Sequence, residues 1–321
     1  MRIKSVSAIL LVCALLFCSC GRKAPDDIAT DAPVMTTMAT LPPDNSDSSH
    51  TECTDADPSQ TETVSTKWDN DNITTPPAST VPPTTITKAE GNKTVTVTVP
   101  PGYTIGQIGE LFESKGICSK ADFVSAASTH DFSQYYAFVS QIPKSADRCY
   151  ALEGYLFPDT YEYYTGMDAV DVVGKLLRGA QNNIVGKYSY PGMTLDEIVT
   201  LASIIEKEAG KASEMGKISS VFHNRLKSGM KLQSDATINY LEIHINPILD
   251  IDPYRGKYNT YKCAALPAGP IGSPNANSLR AAVNPPQTDY YYFVSDPVTG
   301  EYFYSVTFEE HEEHCKRLGL V

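Results

Sequence analysis

Beyond its first 20 residues the chain has only five cysteines, irregularly spaced and with no C-x-x-C among them. An odd, scattered set excludes a complete disulfide framework and a thiolate zinc site, while leaving a single bridge such as Cys118–Cys149 open. No H-E-x-x-H is present, so His223, His244, His311 and His314 read as solvated side chains and no metal site is expected. G-x-S-x-G, phosphate-loop and G-x-G-x-x-G patterns are missing too, which leaves serine hydrolase, NTPase and dinucleotide chemistry unsupported and implies no cofactor. Basic charge is also in short supply. The 26 Lys+Arg against 38 Asp+Glu give a net charge of −12, which argues against a nucleic-acid partner.

Much of the acidity sits near the start. Residues 21–90 hold 12 acids and 4 bases, a net of −8. This stretch, rich in Thr, Pro, Ser and Asp with Trp68 its sole aromatic before Asn92, has too little apolar surface to offset the entropy of ordering. Residues 21–92 are therefore expected to form a disordered stalk, with an r.m.s. span of roughly 45 Å. Ahead of it, residues 1–20 read as an export signal. Arg2 and Lys4 precede an apolar run from Val6 to Phe17 that is short for a bilayer span. Leu16-Phe-Cys-Ser-Cys20-Gly then resembles a bacterial lipoprotein cleavage box, with the small Ser19 before a modified Cys20. An uncleaved or ordinarily cleaved signal segment is the alternative.

Folded structure is expected from residue 93. Lys93-Thr-Val-Thr-Val-Thr-Val99 alternates strictly and predicts a strand. Thr104 is a good N-cap for a helix over Ile105–Lys115, Gly116 ends it, and Ser119 opens a second through about Ser128. This strand-helix-helix pattern, over 93–150, resembles a LysM-like subdomain; a structural lid on the domain after it is an equal reading. Ala151–Tyr163 crowds aromatics around Pro158-Asp159, suiting either sugar stacking or loop packing, with Asp159 a turn or cap residue. Helices are expected over Ala169–Asn182, from Thr194 with its capping partner Glu197 through Glu208, and over Ala212–Lys227. Residues 230–239 are mixed and polar, 245–257 look like a loop, and Leu266–Asn277 is a long Gly/Pro-shaped run. A short helix Ser278–Val283, a hairpin of Tyr290–Ser295 with Tyr302–Val306, and an acidic helix Thr307–Leu318 close the chain.

The stretch of greatest chemical interest is Leu201-Ala-Ser-Ile-Ile-Glu-Lys-Glu208. Leu201, Ile204 and Ile205 share one helical face, and Glu208 is the next position on it. Glu206 projects about 200° away around the helix. A carboxylate continuing an apolar stripe is disfavoured as an anion, which suits a proton donor. A solvated, inert acid pair is the competing reading of this segment alone.

Several motifs then occur in order: Glu153-Gly-Tyr-Leu-Phe-Pro-Asp-Thr-Tyr161, Ala202-Ser-Ile-Ile-Glu-Lys-Glu208, Val221-Phe-His-Asn-Arg-Leu226, Gly229-Met-Lys-Leu-Gln-Ser-Asp235, Tyr258-Asn-Thr-Tyr261 and Leu266-Pro-Ala-Gly-Pro-Ile271. Together, over about residues 93–318, they resemble the MltG (YceG-like) endolytic murein transglycosylases. The resemblance implies an α+β fold, a small LysM-like subdomain packed on a mixed α/β catalytic domain at 151–321. It implies an extracytoplasmic enzyme at the cell membrane that cuts peptidoglycan glycan strands internally, and, by analogy only, association with peptidoglycan synthases. The family's essential glutamate falls on Glu208, which would act as acid and then as base to leave a 1,6-anhydro-muramic end. Gln233, Asp235, Asn259 and Thr260 match polar positions of the motifs; they line the cleft or hold loops through backbone hydrogen bonds. Arg225 reads as the structural partner of a carboxylate, and Glu206 as support for Glu208 or as a solvated neighbour. A lipid-anchored wall-binding or scaffold protein without catalysis is the alternative from another class.

Overall fold

The computed structural model describes residues 91–320. The signal segment, Cys20 and all but the end of the expected stalk lie outside them.

Strand β1, Thr94–Thr98, turns its threonines outward and Val97 into the core, as the alternation predicts. Helix α1, Ile105–Ser114, starts in a full capping box: the Gln107 N–H donates to the Thr104 hydroxyl, and the Gln107 side chain accepts from the Thr104 N–H. Helix α2, Lys120–Thr129, is capped by Ser119 and packs on α1. The strand that completes this unit is not among the expected ones. Thr160–Tyr164 forms β2, antiparallel to β1 with Thr94 opposite Tyr164 and Thr98 opposite Thr160. A division at residue 150 therefore falls inside the unit, whose sheet is closed from beyond it. Phe112 meets Phe123 and Tyr163 edge-on at 5.2 and 5.0 Å, so α1, α2 and β2 share one aromatic core. The aromatics of 151–163 pack a core: Tyr155, Phe157 and Tyr163 are all buried.

Helix α3, Ala169–Asn183, packs on α2. Helix α4, Leu195–Glu208, lies against α5 (Met215–Lys227), α6 (Asp235–Asn239) and α8 (Ala276–Val283). Between α6 and α8 the chain is more helical than expected. A π-helical turn, Tyr240–Ile245, buries Tyr240, Leu241 and Ile245, and α7 spans Asp252–Tyr258. Pro253 sits in the first turn of α7, where a missing N–H costs nothing, so there it starts a helix instead of breaking one. A hairpin of β3 (Tyr292–Ser295) and β4 (Tyr302–Ser305) and the capped helix α9 (Phe308–Arg317) complete the α+β fold.

The four described cysteines are free thiols, so no Cys118–Cys149 bridge forms. The histidines are less solvated than expected. His311 is buried against the Tyr292 ring, and His223 Nε2 lies 2.8 Å from the Ala282 carbonyl oxygen.

One carboxylate ties the first unit to the rest. Glu153, fully enclosed, accepts the Ile105 N–H at the start of α1 (3.2 and 3.3 Å to its two oxygens) and the Tyr240 hydroxyl (3.1 Å). Burial pushes its pKa up to about 7 against these donors and the nearby Lys207 charge. The unfolded carboxyl titrates near 4.5, so the folded state holds the proton more tightly. This group's contribution to stability is therefore complete below pH 4.5 and is lost as the pH rises through about 7. The loss is on the order of 3 kcal/mol. Urea unfolding between about pH 5 and pH 8 should show this downward slope in the parent chain and a flatter one in Glu153→Gln; parallel slopes would refute it.

Candidate active site

Helix α4 carries the site. Thr194 and Glu197 form its capping box: the Glu197 N–H donates to the Thr194 hydroxyl (3.2 Å) and the Thr194 N–H to the Glu197 carboxylate (2.7 Å). Leu201, Ala202, Ile204 and Ile205 are wholly buried, the larger ones contributing about 1.5–3 kcal/mol each. Glu208, the last helical residue, continues that stripe and is 7% exposed. Its Oε1 accepts the Ser234 hydroxyl at 2.5 Å. Its main-chain carbonyl, an orphan of the last turn, accepts the Tyr302 hydroxyl at 2.8 Å, and that oxygen in turn accepts the Gly210 N–H at 2.7 Å. The hairpin thus fixes the end of the helix. A hollow of about 320 Å³ lies past that end, against the hairpin turn, lined by Gly210, Lys211, Tyr302 and residues 295–300.

Glu206 points elsewhere, as the helical period requires, but it is not merely solvated. Its two oxygens accept the Asn275 N–H (3.1 Å) and side-chain amide (3.2 Å), so it holds the N-cap of α8. The run 266–275 is in this way stitched along α4, with the Ile271 N–H donating to Ser203 Oγ at 3.0 Å. Gly102 and Ser273 are joined by backbone bonds, Gly102 N–H to the Ser273 carbonyl (2.7 Å) and Ser273 N–H to the Tyr103 carbonyl (2.9 Å). Gly272, at φ +153°, brings the Gly102 carbonyl oxygen to 2.6 Å from where a Cβ would stand, so only glycine fits.

The two polar motifs come together, though not with every member facing outward. The Gln233 N–H donates to the Thr260 carbonyl (3.2 Å), the Ser234 N–H to Thr260 Oγ1 (2.9 Å), and the Tyr261 hydroxyl to Asp235 Oδ1 (2.7 Å). Thr260 is fully buried behind Ser234, so it holds a loop and lines no cleft. Asn259 Oδ1 accepts the Tyr261 N–H at 3.0 Å, a local turn bond. Gln233 and Asp235 are half-buried on the segment that leads into α6.

Arg225 differs from expectation in its partners. Its guanidinium donates to three main-chain carbonyls, Tyr291 (2.6 Å), Leu232 (2.8 Å) and Lys231 (3.2 Å), and to Gln233 Oε1 (3.2 Å), with no carboxylate among them. Two residues escape a reading of the sequence. Ser234 sits between Gln233 and Asp235 yet looks like an ordinary helix N-cap, and Tyr302 is one aromatic among many in the hairpin. Neither carries a local signal of its contact with Glu208.

A larger cavity, of about 1000 Å³, lies beside the start of α4 and is lined by Tyr190, Asp196, His223, Leu266 and Pro286. It is roomier, but it is at the opposite end of the helix from Glu208, and both acids that line it are engaged: Asp196 by Arg148 (2.8 Å) and the Tyr155 hydroxyl (2.9 Å), and Glu197 in the capping box with Thr194. The end of α4 is the better site for acid–base chemistry.

The fold and site define an α+β domain that presents one buried carboxylate at a helix end, the carboxylate held by Ser234 and the helix end by Tyr302. The chain belongs to the YceG-like family, whose model matches residues 79–317. It is 30% identical over 240 residues to an endolytic murein transglycosylase of Streptococcus pneumoniae serotype 2 (strain D39 / NCTC 7466), covering 68% of this chain and 44% of that protein. It is 36% identical over 168 residues to an endolytic murein transglycosylase of Bacillus subtilis (strain 168), covering 50% and 46%. A yceG-like protein of Listeria monocytogenes, known from a crystal structure, superposes with a TM-score of 0.56 at 29% identity, covering 68% of this chain and 75% of that one. The chain spans less than half the length of the curated relatives it matches.

Proposed function

We propose that this protein is an endolytic lytic transglycosylase of peptidoglycan, cleaving the bond between N-acetylmuramic acid and N-acetylglucosamine within glycan strands. The observation that carries the reading is Glu208, a nearly buried carboxylate at the end of α4 whose Oε1 accepts the Ser234 hydroxyl. The names of the pneumococcal and Bacillus relatives support it. In the proposed reaction the protonated Glu208 gives its proton to the glycosidic oxygen as the bond from the muramic C1 breaks. The muramic C6 hydroxyl oxygen bonds to C1, and its proton passes to the Glu208 carboxylate, restoring the acid. No water is consumed, so the second carboxylate of an ordinary glycosidase has no task. Glycan strands are thus the partner the reading requires.

The test is to incubate the full chain with uncrosslinked glycan strands and weigh the products. Muramic ends lighter by one water support the reading; ordinary reducing ends would make the protein a hydrolase, and binding without cleavage a scaffold.

The reading extends to location. Cys20 and the apolar run before it, both outside the described residues, support attachment to the outer face of the cell membrane. Cys20→Ala should move the protein from the membrane to the soluble fraction on cell fractionation; undiminished membrane retention would rule out the lipid anchor.

A further inference from the structure

The segment that delivers Ser234 to Glu208 departs from local preference in two ways. Gln233, immediately before it, has φ +51°, and among the described residues no other non-glycine residue has a positive φ. A side chain in the left-handed region is held there by its surroundings, against its own preference. Ser234 itself occupies the N-cap of α6, where a serine hydroxyl ordinarily accepts an N–H of the first turn. Its hydroxyl makes no such bond and is turned instead to Glu208 Oε1, 2.5 Å away.

What holds it there is a knot of buried hydroxyls. Thr260 Oγ1 accepts the Ser234 N–H at 2.9 Å, and the Ser234 carbonyl accepts Thr237 Oγ1 at 2.8 Å. The two threonine oxygens lie 3.1 Å apart, and Ser234, Thr237 and Thr260 are all without solvent exposure. A serine whose backbone is fixed on both sides and whose hydroxyl forgoes its helix is built to orient something else.

We propose that Ser234 is the positioning residue of Glu208: its hydroxyl, donated to Oε1, fixes the carboxyl rotamer in which the acid meets the glycosidic oxygen. This rests on Glu208 being the acid and base of the reaction proposed above. Ser234 touches no substrate; it acts through Glu208.

The role separates from a merely structural one by its pH signature. A donor to Oε1 favours the ionised carboxylate, so its removal raises the pH at which Glu208 loses its proton. For the full chain acting on uncrosslinked glycan strands, Ser234→Ala should lower kcat roughly 10- to 100-fold with KM within about twofold. The high-pH limb of the kcat profile should move upward by about one pH unit. Thr260→Val, which takes away the acceptor of the Ser234 N–H, should shift both quantities in the same direction, and Thr260→Ser should restore them. These two variants decide the matter should Ser234→Ala fold poorly. A Ser234→Ala protein with unmoved kcat and an unmoved limb overturns the proposal, as does a loss of kcat that follows loss of fold while the limb stays in place. If Glu208→Gln itself cleaves normally, the reaction assignment fails, and that result is distinct from a silent Ser234→Ala in a chain whose Glu208→Gln is dead.

Discussion

Glu208→Gln should abolish glycan cleavage, by about 10³-fold or more in kcat, because a carboxamide neither donates nor accepts the proton that both halves of the reaction require. The substitution is close to isosteric. The amide oxygen can still accept the Ser234 hydroxyl, and the main-chain carbonyl keeps its bond from Tyr302, so α4 should end as before. Exchanging a nearly buried carboxylate for a neutral group also removes a desolvation cost, and the thermal midpoint should be equal to or above that of the parent. A dead protein of undiminished stability is what a site residue gives and what a structural residue does not. The internal comparison is Glu206→Gln, in which the amide oxygen can keep one of the two bonds from Asn275. Its loss of activity should stay within about tenfold, as for a residue that shapes a neighbouring loop. If the two effects were exchanged, the acid would be Glu206, and burial on the helical face would not be what selects it.

The burial of Glu208 is legible in advance because its causes are local. Capping box, apolar period and terminal acid all lie within Thr194–Glu208, and the side chain is enclosed by virtue of its place in the period. The alternating β1 and the capped α1, α2 and α9 are legible for the same reason. β2 is not, because its pairing depends on a strand more than 60 residues earlier in sequence and its tyrosines read equally well as a surface. The helix α7 is hidden by Asp and Pro, which mark loops as often as first turns. Within the site, residue type is legible but facing is not. Thr260 and Asp235 stand in adjoining motif segments, yet one is sealed behind Ser234 and the other is half-buried beside it. Arg225 reads as half of an ion pair because charge suggests charge; its partners are carbonyls, which sequence does not display.

Those carbonyls make Arg225→Met the most destabilising substitution expected near the site. The guanidinium is wholly buried, 5.0 Å above the Tyr292 ring, and joins α5 to the start of β3 and to residues 231–233. Methionine fills much of the same length but leaves the Lys231, Leu232 and Tyr291 carbonyls and Gln233 Oε1 without this donor, at a cost of about 3–5 kcal/mol. For a folded region of this size that is a fall in thermal midpoint of roughly 6–20 °C. Arg225→Lys should recover little, since a single ammonium cannot reach acceptors spread around a planar fork. Because residues 231–233 lead directly into Ser234, activity should drop even at temperatures where the variant stays folded, and the loss should appear in kcat with KM little changed. A midpoint within about 2 °C of the parent would mean that water replaces the guanidinium at all four acceptors. In that case the loop before Ser234 is held by its backbone bond from Gln233 to Thr260 and not by the arginine.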